Sequence, residues 1–349
     1  MSPTTRPAIR GPLAALAATL LLPVASMFAV PAPAHADAVV ATIPAGAYPE
    51  GIAITPDGKR AYVTNDVVGT VTVIDTASRE IAATIDIEGH AHDIAISPDG
   101  REVYVTRSPG SSVVVIDADT DTVAASIPVG SGANAVAVSP DGARLYVTST
   151  ATNTMSVVDT ASHAVTATIP VDRSPQDVVI SPDGATAYVV HDASGTLLAI
   201  DTATNTTRYS VFLSTRPRAL VVTPDGTHAY TANGPGSTVS AIDLTSRKLT
   251  SKISGGHGGT AIAVTPDGAH VYVTGLVDDA VSVIDTRTDT VLGNIPVGDS
   301  PDGIAVTPDG AYVYVTNHGS KTVSVLTTDV LPAPAPTGSL ASLGSFFGS

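Results

Sequence analysis

The sequence predicts an all-β protein, a seven-bladed β-propeller with four antiparallel strands per blade. The tripeptide Pro-Asp-Gly occurs seven times at steps of 42 residues, from Pro56 to Pro308. A tyrosine recurs at the same step from Tyr62 to Tyr314, and no copy has an insertion or a deletion between these marks. The copies are rich in β-branched residues and show no helical periodicity. Repeated units of this length with four short strands are typical of a propeller.

The first copy illustrates the strands that we expect in every blade, at about Gly51–Thr55, Arg60–Asn65, Thr70–Asp75 and Ile81–Ile85. Between the first two strands, Pro-Asp-Gly predicts a tight turn. Proline fixes φ at the first corner, aspartate bonds the local backbone, and glycine accepts a positive φ. The aspartate that ends the third strand is expected to cap the next turn in the same way.

The last copy lacks a suitable fourth strand of its own. That strand would fall on Ala-Pro-Ala-Pro-Thr-Gly at residues 333–338, where prolines cannot donate to a ladder. One repeat before the outer strand of the first copy lies Val39–Pro44, whose sequence Val-Val-Ala-Thr-Ile-Pro suits an outer strand. We therefore expect the N-terminal strand to join the last blade and close the ring, which removes open sheet edges.

The propeller is expected to lie between two segments of different composition. Arg6 and Arg10, the apolar stretch Leu13–Val30 and the sequence Ala34-His35-Ala36 follow one another as in a Sec-type signal peptide. We therefore expect a secreted or cell-envelope protein with no membrane span after the signal is removed. The C-terminal segment is rich in Pro and Ala, then in Gly and Ser, and is expected to be flexible. The predicted regions are a signal peptide at 1–36, the propeller at 37–329 and the tail at 330–349.

Charge and composition exclude several classes of partner and chemistry. The chain has 17 basic and 32 acidic residues and a net charge of −15, with no basic run. This acidity argues against binding to nucleic acids or to anionic lipid surfaces. The absence of cysteine excludes disulfides and thiol chemistry. We expect a monomer without a cofactor.

The repeat resembles a known family. Tyr62-Val-Thr-Asn65 and Tyr314-Val-Thr-Asn317 are the motif that gives the YVTN β-propeller repeat family its name, and Tyr104-Val-Thr-Arg107 is a near copy. The resemblance extends over about residues 39–327. It implies a propeller that is exported or surface-bound, related to lactonase-like enzymes among others, and it does not carry one function with it.

Candidate binding residues follow from the geometry of a propeller. The loops that lead from an outer strand to the next inner strand share one face, here called the mouth face, with the loops between the second and third strands. The Pro-Asp-Gly turns lie on the opposite face. At the mouth face the residues differ between copies, whereas the Pro-Asp-Gly, tyrosine and strand positions of the repeat do not. This variation favours ligand binding at the mouth face. The candidates are Glu50, His90, His92, Asn134, Gln176, His191, Arg216, Arg218, Asn233, His257, Asp302 and Asn317.

Two segments have the residue types of metal sites. The segment His90–Asp93 offers two imidazoles and a carboxylate, but neighbouring side chains on an extended chain point in opposite directions. The segment Asp117–Asp121 has the aspartate spacing of a calcium loop, but it lacks the glycine and the distal glutamate of that motif. We predict solvated histidines in the first segment, an ordinary turn in the second, and no metal.

The sequence favours a binding module over an enzyme. No Gly-x-Ser-x-Gly nucleophile motif is present in a strand-to-helix context. Enzymes on such scaffolds often use longer loops to cover a site, whereas these copies align without gaps. The leading hypothesis is recognition of a small molecule, a peptide or a surface partner at the mouth face. The alternatives are a lactonase-type or lyase-type enzyme with a histidine or a histidine-bound cation at the channel, and a structural cell-envelope component.

Overall fold

Strands account for almost all regular structure in the described part of the chain. The computed structural model describes residues 38–108, 110–213 and 216–328. In these residues 28 strands form seven sheets of four, all antiparallel, and the single helical element is a 3₁₀ turn at Gly234–Gly236. The predicted seven-bladed propeller is confirmed. No helix in these ranges is long and apolar enough to cross a bilayer. The signal peptide predicted at 1–36 and the tail predicted at 330–349 lie outside the described residues.

Each blade has an inner, a second, a third and an outer strand, and blades 1 to 7 follow chain order from the first Pro-Asp-Gly turn. The inner strands are β2 (Pro49–Ile54), β6 (Ile94–Ile96), β10 (Ala133–Val138), β14 (Pro175–Ile180), β18 (Pro217–Val222), β22 (Ile262–Val264) and β26 (Pro301–Val306). The second strands are β3 (Arg60–Asn65), β7 (Glu102–Arg107), β11 (Arg144–Ser149), β15 (Thr186–His191), β19 (His228–Asn233), β23 (His270–Gly275) and β27 (Tyr312–Asn317). The third strands are β4 (Thr70–Asp75), β8 (Ser112–Asp117), β12 (Thr154–Asp159), β16 (Thr196–Asp201), β20 (Thr238–Asp243), β24 (Ala280–Asp285) and β28 (Thr322–Thr327). The outer strands are β5 (Glu80–Asp86), β9 (Thr122–Pro128), β13 (Ala164–Pro170), β17 (Thr206–Phe212), β21 (Lys248–Ser254), β25 (Thr290–Pro296) and, in blade 7, β1 (Val39–Pro44).

The first strand of the chain closes the ring, as predicted. Blade 7 has the strand order β1, β28, β27, β26, and Thr42 of β1 lies opposite Ser324 of β28. Ile43 and Ala45 are buried and pack against Val323 and other apolar residues of blades 7 and 1. The closing strand is therefore part of the core as well as part of a sheet.

The core lies between neighbouring blades. Each repeat tyrosine, such as Tyr62, is buried in one of seven apolar clusters, and Tyr62 shares its cluster with Val105 and Ile116 of the next blade. The Tyr62 hydroxyl donates a hydrogen bond to Asp121 of blade 2 at 3.2 Å. A buried tyrosine needs such a partner for its polar end, and the hydroxyls of Tyr230 and Tyr314 also bond to the next blade.

The Pro-Asp-Gly turns follow the predicted mechanism. Gly58 has φ +73° and donates its N–H to the Thr55 carbonyl at 2.8 Å. The Thr55 hydroxyl donates to Asp57 at 2.7 Å, and this bond, aided by a backbone N–H, lowers the pKa of Asp57 to about 2. After the third strand, Asp75 accepts the backbone N–H of Ser78 at 2.8 Å. The repeat aspartates in these turns are structural.

Candidate functional site

Five of the seven inner strands have an irregularity at the position of a predicted site residue. Pro49 pairs with Asn65, but Ile52 pairs with Val63, so β2 has one extra residue at this point. Such a β-bulge re-aims the side chains beside it, and Glu50 lies within it. Similar register shifts occur in β10, β14, β18 and β26. The prediction had placed Glu50 in a loop before the strand; the structure places it inside β2.

A cavity of about 290 Å³ lies where the seven inner strands converge. Every blade contributes the residue at the repeat position of Glu50, namely Glu50, His92, Asn134, Gln176, Arg218, Thr260 and Asp302. All of these except Thr260 were predicted candidates. The next position of each repeat also lines the cavity, with Gly51, Asp93, Ala135, Asp177, Ala219, Ala261 and Gly303.

Glycine is required where blades 7, 1 and 2 meet. A Cβ atom on Gly51 would lie 2.8 Å from the His92 carbonyl oxygen, and one on Gly303 would lie 2.2 Å from the Glu50 carbonyl oxygen. Both distances are too short for a real contact, so these inner strands approach one another closely. The cavity wall is tightest in this sector.

Glu50 and His92 form an ion pair in the cavity. His92 Nδ1 lies 2.7 Å from Glu50 Oε1, and His92 Nε2 lies 3.1 Å from Asn134 Oδ1. Burial is the largest single effect on His92 and would lower its pKa, but the bond to Glu50 and the negative charges of Glu50, Asp93 and Asp302 together outweigh burial and raise the pKa to about 9. Asn134 Nδ2 donates in turn to the Gln176 carbonyl at 2.5 Å. His92 is therefore a protonated, positioned group at neutral pH, with both ring nitrogens engaged.

The Asp302 carboxyl group is less completely neutralised. Burial and the negative charge of Glu50 raise the pKa of Asp302 to about 6, although His92 and His318 act in the opposite direction. Among the described residues, no basic side chain forms an ion pair with this carboxyl group. Asp302 therefore changes its charge close to neutral pH.

Two further carboxyl groups link neighbouring blades. Asp93 accepts the backbone N–H of Val136 at 2.8 Å, and Asp177 accepts that of Leu220 at 2.7 Å. Burial raises the pKa of Asp93, and burial together with the charge of Asp93 raises that of Asp177 to about 7. Both were absent from the predicted site. Their repeat position holds only Gly or Ala in the other five copies, and this contrast was the feature of the sequence that would have revealed them.

Arg218 is exposed in the cavity and lacks a charged partner. Within the described ranges its guanidinium has no hydrogen bond or ion pair, whereas the guanidinium of nearby Arg216 pairs with Asp192 at 2.7 Å. The Arg218 stem lies against Gly234, where an added Cβ would be 3.0 Å from Arg218 Cγ. Because Arg218 belongs to blade 5 and Glu50 to blade 1, the two face each other across the ring.

Three predicted candidates lie outside the cavity on the rim of the mouth face. Each is exposed and pairs with an acidic residue in the loop between the second and third strands. The pairs are His90 Nδ1 with Asp66 Oδ1 at 3.0 Å, Arg216 Nε with Asp192 Oδ1 at 2.7 Å, and His257 Nδ1 with Asp278 Oδ2 at 2.7 Å. They tie neighbouring mouth-face loops together.

Three other candidates, His191, Asn233 and Asn317, are fully buried, which corrects the prediction that they reach the mouth. Each ends a second strand. Asn317, for example, donates to Ser324 Oγ at 2.9 Å and accepts the Gly298 N–H at 3.1 Å. Asn317 thereby links its blade to the loop that leads into it.

The histidines and acids of the described part of the chain include no group of three or more placed to hold a metal ion. His90 and His92, separated by one residue in the predicted segment, have different partners, Asp66 and Glu50. The site therefore offers charge and hydrogen bonds from separate blades.

Comparisons with known proteins agree with this architecture. A YNCE-like β-propeller family matches residues 85–185, and a family described as lactonase, seven-bladed β-propeller, matches residues 200–344. The predicted resemblance to YVTN and lactonase-like propellers is confirmed. Each match covers less than half of the chain, so the matches do not fix an activity.

Solved structures show how widely the fold is shared. The chain is similar to hydrazine synthase of Kuenenia stuttgartiensis, with a TM-score of 0.75 and 23% identity over 82% of this chain and 97% of that chain. At this identity the likeness shows the fold alone. No curated protein sequence matches the chain.

Proposed function

We propose that this propeller is a binding protein that holds a small polar ligand in its central cavity. The observation that carries the proposal is the convergence, from separate blades, of an unpaired guanidinium and several carboxyl groups on one cavity. A volume of about 290 Å³ is at the lower end of small-molecule sites. The signal peptide predicted at 1–36 makes a secreted or cell-envelope location part of the proposal.

The cavity combines fixed groups with available ones. Glu50, His92 and Asn134 are held by one another and form a pre-organised wall. Within the described residues, the Arg218 guanidinium makes no internal hydrogen bond or ion pair. A guanidinium is well suited to bind the oxygens of a carboxylate or a phosphate. Pre-organised groups beside an unpaired one favour ligand binding, because few side chains lose conformational entropy when the ligand binds.

The first test is a ligand screen on the purified full-length protein, by thermal shift against a library of small polar metabolites, followed by calorimetric titration of each hit. Arg218→Gln is expected to weaken binding of an anionic hit about tenfold or more, because a charge-assisted bond is lost. Arg101→Gln removes an exposed guanidinium on the opposite face and is the matched control. Unchanged affinity in Arg218→Gln, or no hit of any class, would overturn the cavity as the site.

A lactone hydrolase is the second candidate, favoured by the family match over residues 200–344 and by an acid with a pKa of about 6. Asp302 would accept a proton from water while the water oxygen bonds to the carbonyl carbon. The ring C–O bond would then break, and that proton would pass to the leaving oxygen. Turnover of γ- and δ-lactones that rises with pH through about 6 and is lost in Asp302→Asn supports the enzyme. If no lactone is hydrolysed, the enzyme hypothesis is rejected and the proposed binding function is unaffected.

A further inference from the structure

The cavity contains two opposite charges that do not neutralise each other. Arg218 and Asp302 both line it, yet they are too far apart to form an ion pair. In ring order, blade 6 separates them, and this blade places the Thr260 hydroxyl and small Ala261 between them. On the rim of the mouth face, by contrast, Arg216 pairs directly with Asp192 at 2.7 Å.

We infer that the ligand is a short zwitterion, with its anionic group at the Arg218 guanidinium and its ammonium group at the Asp302 carboxylate. This inference rests on the proposed function, in which the cavity binds a small ligand. It adds the chemical class of that ligand and the end of the cavity that each charged group occupies.

A ligand with a charge of only one sign is disfavoured. Four carboxyl groups line the cavity, Glu50, Asp93, Asp177 and Asp302, against two basic side chains, His92 and Arg218. An anion alone would gain from Arg218 but face these acids, and a cation alone would share the cavity with the like charge of Arg218. A zwitterion places each charge beside its opposite.

The cavity also limits the size of the ligand. A volume of about 290 Å³ is close to the lower limit of the range for small-molecule sites. A free amino acid, an ω-amino acid of a few carbons or a very short peptide has this size. Because Arg218 and Asp302 are two blades apart, the separation between the charged groups of the ligand should determine its affinity.

Binding at Asp302 should also release protons. An ammonium group stabilises the ionised carboxylate, so it lowers the pKa of Asp302 from about 6. The groups that face this carboxyl are Glu50, His92, His318 and Thr260. Affinity is expected to rise between pH 5 and pH 7, with the release of about half a proton at pH 6.

The test is isothermal titration calorimetry with glycine, β-alanine, 4-aminobutyrate, 6-aminohexanoate and triglycine, with butylamine and butyrate as single-charge probes. At least one zwitterion is expected to bind tenfold more tightly than both single-charge probes, with an optimum in chain length. Arg218→Gln should weaken zwitterions and butyrate but not butylamine, and Asp302→Asn should weaken zwitterions and butylamine but not butyrate. Arg101→Gln and Asp119→Asn, exposed on the opposite face, are matched controls.

The outcomes separate the two proposals. If the zwitterions bind no better than butylamine or butyrate while a metabolite of another class binds through Arg218, the inference is overturned and the proposed function stands. If no compound of any class binds, both are overturned. Titration at pH 6 in two buffers of different ionisation enthalpy measures the released protons, and a value of zero would contradict the placement of the ammonium group at Asp302.

Discussion

The residue type at the end of the second strand is matched to the residue type that it contacts on the third strand of the same blade. In blade 1, Asn65 donates to the Thr72 hydroxyl at 2.9 Å, and the asparagines of blades 5 and 7 make the same bond to a serine. In blade 4 the two positions hold His191 and Leu198. His191 is fully buried, and its Nε2 has no hydrogen-bond partner. Asparagine therefore occurs with a hydroxyl, and histidine with an apolar side chain.

Restoring the asparagine pair in blade 4 is expected to remove a source of acid sensitivity. Burial lowers the pKa of His191 below its ordinary value, so the unfolded chain binds a proton more readily than the folded one. The contribution of His191 to stability is therefore present above about pH 6.5 and is lost as the pH falls below it. His191→Asn with Leu198→Thr should flatten the fall in Tm between pH 6.5 and pH 5.

Thermal unfolding of four proteins, the wild type, each single variant and the double variant, tests this pairing. His191→Asn alone places a buried amide against Leu198, so the second change should recover about 1 kcal/mol in a double-mutant cycle. Additive single effects, or an unchanged pH profile, would count against it.

At single positions, prediction succeeded where the repeat fixes the direction of the side chain. The 42-residue step identified Glu50, His92 and Arg218 as equivalent positions, and the structure brings them to one cavity. It could not show that His191 is buried, because a polar residue at the end of a strand has the same pattern whether a loop covers it or leaves it open.

At the scale of elements, a threonine of the second strand joins neighbouring inner strands. The Thr64 hydroxyl accepts the Gly51 N–H at 2.7 Å and donates to the His92 carbonyl of the next blade at 2.6 Å. The same two contacts recur at Thr106, Thr274 and Thr316. This bridge sets the spacing of the strands that line the cavity.

Removing one bridge should weaken the fold without changing its shape. Thr64→Val keeps the volume but leaves the partly buried Gly51 N–H and His92 carbonyl without this partner, at an expected cost of about 1–3 kcal/mol. Chemical denaturation measures the change, with Thr42→Val on the exposed side of β1 as the control. Equal stability of the two variants would mean that the bridge is dispensable, as it is in blade 4, where Val190 occupies this position.

Strand order and turn chemistry were predictable because Pro-Asp-Gly and the hydrophobic alternation repeat without gaps. The bulge at Glu50 was not predictable. A strand with an extra residue has the same alternation on either side of the bulge, and only the pairing of Pro49 and Ile52 with their partners reveals it.

At the scale of the whole molecule, stability depends on β1. Deleting residues 39–44 should expose the edge of β28 and uncover the cluster around Val323 and Tyr314. We expect loss of cooperative unfolding or a fall in Tm of more than about 10 °C, since several buried side chains are lost together.

A synthetic peptide of residues 37–47, added to the deleted protein, is expected to restore much of that Tm, because β-strand addition can occur between separate chains. The control peptide has Ile43 changed to Asp and should not bind, since Ile43 is buried in the intact protein. A deleted protein as stable as the wild type would show that the ring does not need this strand.

The pairing of Val39 with Leu326 joins residues that are far apart in sequence, whereas each of the other blades is assembled from a continuous segment. During synthesis, the first six blades can therefore form before β28, the partner of β1, has been made. Long-range pairing of this kind is slow because the intervening chain must first be ordered. The pairing of β1 with β28 should be the last contact to form, and its amide hydrogens should be the first to exchange when the ring opens.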